Sequence, residues 1–183
     1  MKNQKIRLNV IDLDKTLIPY DSLRLFIYHL LFSKATFLKI LWIIIKRFVW
    51  LIDSKSFLQE IMICARESIR YKEIIEVLSN KLYQDVNIEV LQKISKNSDA
   101  TTINVLCSAS PEDYVNVLAK KLGWDCLASN FFEDNFVRMY GESKVKYITQ
   151  MFPYSDYAYN FSISDSASDL DLLKLFNHFE LIK

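Results

Sequence analysis

Two aspartates one residue apart, Asp12 and Asp14, stand near the start of the chain in Val10-Ile11-Asp12-Leu13-Asp14-Lys15-Thr16-Leu17. They follow an apolar run from Ile6 to Ile11, broken only by Arg7 and Asn9, whose composition predicts a short buried strand. At the end of such a strand two carboxylates, a hydroxyl and free backbone groups meet at the carboxyl edge of a sheet, where open α/β folds bind ligands. The chemistry this suits is attack on phosphorus. A carboxylate at Asp12 can displace an alcohol from a phosphate monoester as an aspartyl-phosphate, splitting one hard displacement into two easier steps. Asp14 can protonate the leaving oxygen and then take a proton from the water that attacks the intermediate. Two acids beside a phosphate dianion repel one another, so the arrangement calls for Mg²⁺ and at least one fixed cation. For Asp14 and Lys15 taken alone, a polar turn after an edge strand is the alternative.

Three later stretches bear on that requirement. Thr101 to Cys107 is β-branched and apolar, a second predicted strand, and it ends at Ser108. Ser110 is placed to cap the following helix, with Pro111 in its first position, Glu112 and Asp113 in its first turn, and a stop at Gly123. A hydroxyl at a strand end beside a helix amino terminus suits phosphate, although Ser108 also fits an ordinary turn. Gly141-Glu142-Ser143-Lys144 opens a helix to about Phe152, and a lysine in a first turn opposes the helix dipole. Lys144 is therefore a candidate for the fixed cation, with Lys146 its near competitor. Tyr159 to Ile163 predicts another strand running into Ser164-Asp165-Ser166-Ala167-Ser168-Asp169. Asp165 and Asp169 would add two carboxylates to the same edge as an oxygen-rich Mg²⁺ site. Helix capping by Ser166 or Ser168, with Asp169 and Asp171 in the first turn, is compatible with that role.

The elements that must position these residues fit one domain, or one domain with a modest insertion, in 183 residues. Half the residues are apolar and a quarter charged, a globular composition, and a net charge of +1 gives no preference for nucleic acid. Cys64, Cys107 and Cys126 are odd in number and widely spaced, which suggests buried thiols and neither a disulfide framework nor a zinc site. The two histidines, His29 and His178, lack metal-ligand or triad company, so catalysis would run on carboxylates. The start of the chain carries no secretory pattern, and a cytoplasmic location is the default expectation.

From Asp21 to Lys96 the chain reads as helical. Leu23 to Ile52 is unusually apolar, interrupted by Arg24, His29, Lys34, Lys39, Lys46 and Arg47, with no acid between Asp21 and Asp53. No uncharged run reaches the ~18 residues of a spanning helix. The stretch fits a helical hairpin packed within the protein, or a peripheral contact with an anionic membrane through 23–52. Segments 56–69, 71–83 and 87–96 carry apolar residues at helical spacing, and 97–99 is the loop returning to the core. Cys126 to Ser129 predicts a further strand, Phe131 to Tyr140 a short hairpin or extended excursion, and Asn177 to Ile182 the last strand.

Strand-DxDxT, strand-Ser, a lysine at a helix start and strand-DxxxD, in that order, resemble the haloacid dehalogenase superfamily of phosphohydrolases over the whole chain. Leu106-Cys107-Ser108-Ala109-Ser110-Pro111-Glu112 and Tyr140-Gly141-Glu142-Ser143-Lys144 resemble its branch of phosphoserine phosphatase and phosphatidylglycerophosphate phosphatase-like enzymes, in which a helical cap follows the first motif. The resemblance implies an α/β fold, with a Rossmann-like parallel-sheet core from residues 1–20 and 97–183 and an all-helical cap from 21–96. It implies a Mg²⁺-dependent phosphatase with Asp12 as nucleophile and metal ligand, and Asp14 as acid/base with its backbone carbonyl on the metal. Ser108 and Lys144 would bind phosphate, Thr16 would support that loop beside the phosphate, and Asp165 and Asp169 would complete the metal site. Asp14 favours phosphatase over dehalogenase chemistry. Lys15 stands where glycine is commoner, Ser164 where glycine often precedes the metal aspartate, and Asp171 in place of a frequent proline.

The expected partner is a small phosphorylated substrate. A phosphoserine-like substrate would use an arginine for its carboxylate, from Arg47, Arg66 or Arg70. The apolar, cationic 23–52 stretch suggests instead a membrane-associated lipid phosphate, and a catalytically idle binding module is the reading from another class.

Overall fold

The computed structural model describes residues 5–33, 36–133 and 135–182, so Lys34 and the first four residues lie outside the described part. Six strands form one sheet: β1 (Ile6–Ile11), β2 (Thr102–Pro111), β3 (Asp125–Phe132), β4 (Asn135–Val137), β5 (Tyr157–Ser164) and β6 (His178–Leu181). Their spatial order is β4-β3-β2-β1-β5-β6, and every neighbouring pair is parallel except β3 with β4. The fold is thus a mixed α/β, Rossmann-like one, as the sequence predicts. β1 takes a central place because both its faces are apolar enough to be covered, which a parallel sheet requires. Leu8 and Val10 enter one core with Val105, Cys107 and Leu127, roofed by Ile148, Phe152, Leu172 and Phe176. Ile11 enters the other core with Leu106, Phe161 and Ile163, beneath Tyr114, Val115 and Leu118. Strand alternation sets this division, since successive residues point to opposite faces.

The helices that supply those roofs are α6 (Glu112–Leu122) on one face, with α7 (Glu142–Met151) and the short α8 (Leu170–Leu173) on the other. Between β1 and β2 lie five helices: α1 (Ser22–Leu31), α2 (Phe37–Phe48), α3 (Ser54–Arg66), α4 (Tyr71–Gln84) and α5 (Ile88–Lys96). Asp21, Asp53 and Asn87 cap α1, α3 and α5 with side-chain oxygens on free backbone N–H groups. These helices share the α6-side core: Phe26, Leu30, Ile40, Ile61, Leu78 and Leu82 are buried with Ile11 and Tyr114. The Arg66 guanidinium donates to both Asp113 carboxylate oxygens at 3.0 and 3.1 Å and to Asn130, fixing α3 to α6 and β3. Below the sheet, Asn9 and Asn160 hydrogen-bond each other, and both donate to the Asn97 carbonyl, tying the returning loop to β1 and β5.

Several boundaries differ from the sequence reading. β2 does not stop at Cys107 but continues to Pro111, and Pro111 occupies the cap position of α6 without a side-chain hydrogen bond. Ser110 is therefore not the helix cap; its hydroxyl is spent elsewhere, on Asp14. The predicted excursion after residue 130 is a hairpin, in which Phe131 pairs with Phe136. The apolar 23–52 stretch divides into α1 and α2, and α3 begins at Ser54 because Asp53 caps it.

Candidate active site

Register brings the chemistry together. Ile11 pairs with Leu106 on one side and Ile163 on the other, so the chain leaves the sheet at Asp12 with Cys107 and Ser164 flanking it. The Asp12 backbone N–H donates to the Ile163 carbonyl at 3.0 Å, the last rung before the strand turns away. Lys15 takes a left-handed conformation in that turn, with φ of 57°, which accounts for glycine being the easier residue there. A cavity of about 240 Å³ opens at this edge, lined by Asp12, Asp14, Tyr140, Lys144 and Asp165 among others.

Lys144 is the fixed cation that two carboxylates require. Its side chain is buried, and Nζ donates to Asp12 Oδ1 and Asp169 Oδ2, both at 2.7 Å. Burial opposes the charge, but the Asp12 and Asp169 carboxylates outweigh it and hold the ammonium above the ordinary lysine range. Gly141 permits this placement: its φ of 53° and ψ of −124° turn the chain into α7 through a conformation that side chains disfavour. Lys146, the competitor, is exposed over the Tyr147 ring.

Asp12 is pushed up to about 6, chiefly by burial, with Lys144 pulling the other way. Asp14 is raised too, by burial, against hydrogen bonds from Ser110 and Ser22. Ser22 N–H donates to Asp14 Oδ1 and Ser110 Oγ donates to Asp14 Oδ2, each at 2.6 Å, so both Asp14 oxygens are held. The Ser22 hydroxyl in turn meets Ser110 and Tyr114 at 3.0 Å. Sequence reasoning overlooks this arrangement, although Ser108 and Ser110 share a face of an extended strand, which is the available signal.

Thr16 lies behind the cavity instead of in it. Its buried hydroxyl donates to Asp12 Oδ2 at 3.3 Å and accepts from the Asp165 backbone N–H at 2.9 Å, joining the first loop to the last. In this arrangement the Thr16 hydroxyl links the loop after β1 to the loop after β5 at the edge where phosphate would lie. Ser108 is buried and its oxygen accepts from the Ser110 N–H at 3.1 Å, leaving its own proton to give.

As they stand, among the described residues, no three His, Cys, Asp or Glu side chains are gathered as a metal cage. The donor chemistry nonetheless fits a hard cation. Asp12 and Asp165 line one cavity, and the half-buried Asp165 carboxylate has no hydrogen bond or ion pair among the described residues. Asp169 is differently engaged: Oδ2 accepts from Lys144 and from Ser164 Oγ at 2.8 Å, while its buried Oδ1 has no partner among the described residues. It positions Lys144 in this state. None of Arg47, Arg66 and Arg70 lines the cavity; Arg66 serves Asp113, Arg70 binds Glu73, and Arg47 lies over Trp50.

Fold and site together define an open α/β protein whose central strand ends in a lysine-bound aspartate. Residues 10–174 match the haloacid dehalogenase-like hydrolase family, and the chain belongs to that family. No curated protein matches it in sequence. Among solved structures it is similar to a protein of unknown function from Bordetella pertussis Tohama I, at 16% identity and a TM-score of 0.74, over 96% of this chain and 89% of that one. A phosphoserine phosphohydrolase-like protein from Francisella tularensis subsp. tularensis SCHU S4 aligns at 16% identity and 0.57, over 94% and 85%. A phosphoserine phosphatase as a phospho-aspartyl intermediate analogue aligns at 15% identity and 0.51, over 96% and 86%. These likenesses are of fold.

Proposed function

We propose that this hydrolase is a phosphatase that cleaves a phosphate monoester through an aspartyl-phosphate on Asp12, with Mg²⁺ as cofactor. The observation that carries the reading is the buried Lys144 ammonium, held between Asp12 and Asp169 at 2.7 Å from each, at the mouth of β1. Asp12 attacks phosphorus, and the bond from phosphorus to the leaving oxygen breaks as the new bond forms. Protonated Asp14 gives its proton to that oxygen; its raised affinity for protons suits the task. The Asp14 carboxylate then takes a proton from the attacking water, which releases phosphate and restores Asp12. Lys144 neutralises charge that builds between Asp12 and the phosphoryl group, and the Ser108 hydroxyl donates to the phosphoryl oxygens. Mg²⁺, held by Asp12, Asp165 and the Asp14 carbonyl, would supply the remaining positive charge.

The helices from 21 to 96 serve in this reading as the cap of the phosphoserine phosphatase-like branch. A second cavity of about 590 Å³ shares Lys15 and Asp21 with the first and continues past Tyr20, Arg24, Leu25 and Tyr28. It suits a leaving group with an apolar part, and it supports a substrate other than a small amino acid phosphate. The test is phosphate release from an aryl phosphate and from an alkyl phosphate with a long chain, by wild type and Asp12→Asn, with Mg²⁺ and with chelator. Release that needs both Asp12 and Mg²⁺ is expected; release that survives Asp12→Asn would overturn the proposal.

A further inference from the structure

About two-fifths of the circumference of α2 has no partner among the described residues. Ile40 and Ile43 face the interior, whereas Phe37, Leu38, Leu41, Trp42, Ile45 and Phe48 are exposed. At 3.6 residues per turn these six occupy one continuous arc of roughly 140°. A helix that is apolar on both sides is normally covered on both sides. The helix then runs into Phe48-Val49-Trp50-Leu51, all four exposed, with Phe48 and Trp50 each 83% accessible.

The backbone of this tip is shaped to present Trp50. Leu51 N–H donates to the Lys46 carbonyl at 2.9 Å and Trp50 N–H to the Arg47 carbonyl at 3.3 Å, the closure by which helices commonly end on a left-handed glycine. Here the left-handed residue is Trp50, with φ of 60°. A bulky side chain in that conformation costs free energy, and this one gains no burial in return. Its notable contact is the Arg47 guanidinium, 5.4 Å from the ring centroid.

Charge selects the occupant. Residues 22–52 contain Arg24, Lys34, Lys39, Lys46 and Arg47 and no aspartate or glutamate. Arg24 pairs with Asp21, Lys46 with Glu60 of α3 and Lys39 with Glu67 just past its end, whereas Arg47 has no carboxylate partner among the described residues. A second copy docked by two-fold symmetry would bring no carboxylate of 22–52 to Arg47 and would set like charges against each other. Anionic headgroups would neutralise them, and indole rings favour the boundary between headgroup and acyl chain. α2 is about 18 Å long at 1.5 Å per residue, and no helix among the described residues is long and apolar enough to cross a membrane.

We propose that the exposed face of α2 and the turn 48–51 form a docking surface for an anionic lipid bilayer, with Trp42, Phe48 and Trp50 entering its boundary. This inference stands independently of the phosphatase reading. The test is flotation of the full chain with vesicles of phosphatidylcholine holding about one-third phosphatidylglycerol, and with phosphatidylcholine alone, for wild type and the triple variant Trp42→Ser/Phe48→Ser/Trp50→Gly. Wild type is expected to bind the anionic vesicles at least about ten-fold more tightly than the neutral ones, with tryptophan emission shifted to the blue. The variant is expected to lose about ten-fold or more of that binding while its thermal midpoint holds or rises, because the sites are exposed and glycine relaxes the turn. Absence of wild-type binding, or equal binding by the variant, would overturn the proposal. So would a dimer in sedimentation that the triple variant abolishes while vesicles bind nothing, which would give the face to a second copy.

Discussion

Replacing Lys144 by Met should destabilise the protein in a way that depends on pH. Nζ lies 2.7 Å from Asp12 and from Asp169, and the three side chains are 3%, 11% and 2% accessible. At an effective dielectric of about 20, each pair contributes ~6 kcal/mol of attraction, offset by several kcal/mol of desolvation for each buried ion. Methionine keeps much of the volume and leaves two carboxylates facing one another, an uncompensated arrangement that costs about 3–5 kcal/mol. For a chain of this size that lowers the thermal midpoint by about 10 °C. The sign with pH follows from linkage. Lys144 is held above its ordinary range, so its contribution in wild type is intact at any pH below the free lysine value of about 10.4. Once it is gone, Asp12, already raised by burial, loses the cation that pulled it down and binds its proton still more tightly in the folded state than in the unfolded one. The deficit should therefore be small near pH ~5 and complete near pH ~8. Urea unfolding in chelator at both values measures it, and Lys144→Met/Asp169→Asn should recover at least about half. A deficit below ~1 kcal/mol, or one independent of pH, would refute the reasoning, since loss of packing alone carries no proton dependence.

Four further outcomes follow from the same geometry. Burial raises the Asp12 carboxyl to about 6, and only the ionised form attacks, so turnover at low Mg²⁺ should fall as pH drops below about 6; raising Mg²⁺ should move that limb to lower pH, read from kcat/KM profiles. Ionised Asp12 also costs the fold stability as pH rises from ~4 to ~6, which Asp12→Asn removes in an unfolding series. Asp14→Asn should slow alkyl phosphates by about 10²-fold or more and aryl phosphates much less, because a phenol leaves with little need of a proton. Lys15→Gly should raise stability by about 1 kcal/mol by relaxing its left-handed backbone, while raising KM for dianionic substrates more than it changes kcat.

What the sequence discloses here is what short strings encode. Val10-Ile11-Asp12-Leu13-Asp14 carries both the buried strand and its reactive end, and a lysine misplaced for the helix dipole at 144 marks its purpose by being misplaced. The apolar runs disclose the core strands themselves, whereas their order around β1 is set by the parallel pairings of the folded sheet. Ser110 is different: its proximity to Asp14 spans 96 residues and depends on β2 continuing past Ser108, which local propensity does not foretell. Thr16 reads in the sequence as a support for its own loop, yet its hydroxyl also accepts from the Asp165 N–H, a contact that exists only once β1 and β5 are side by side. Apolar residues in 23–52 look alike in the sequence; the packing of α2 against α3 separates Ile40 and Ile43, buried, from Trp42 and Phe48, exposed.

The central claim is that Asp12 becomes covalently phosphorylated. The most direct measurement uses Asp14→Asn, in which hydrolysis of the intermediate is slowed, mixed with an aryl phosphate and Mg²⁺ and quenched in acid for peptide mass analysis. One phosphoryl group on the peptide bearing Asp12, absent after Asp12→Asn, is the predicted result. Phosphate release from wild type with no such adduct under any quench, or an adduct on another residue, would contradict the account.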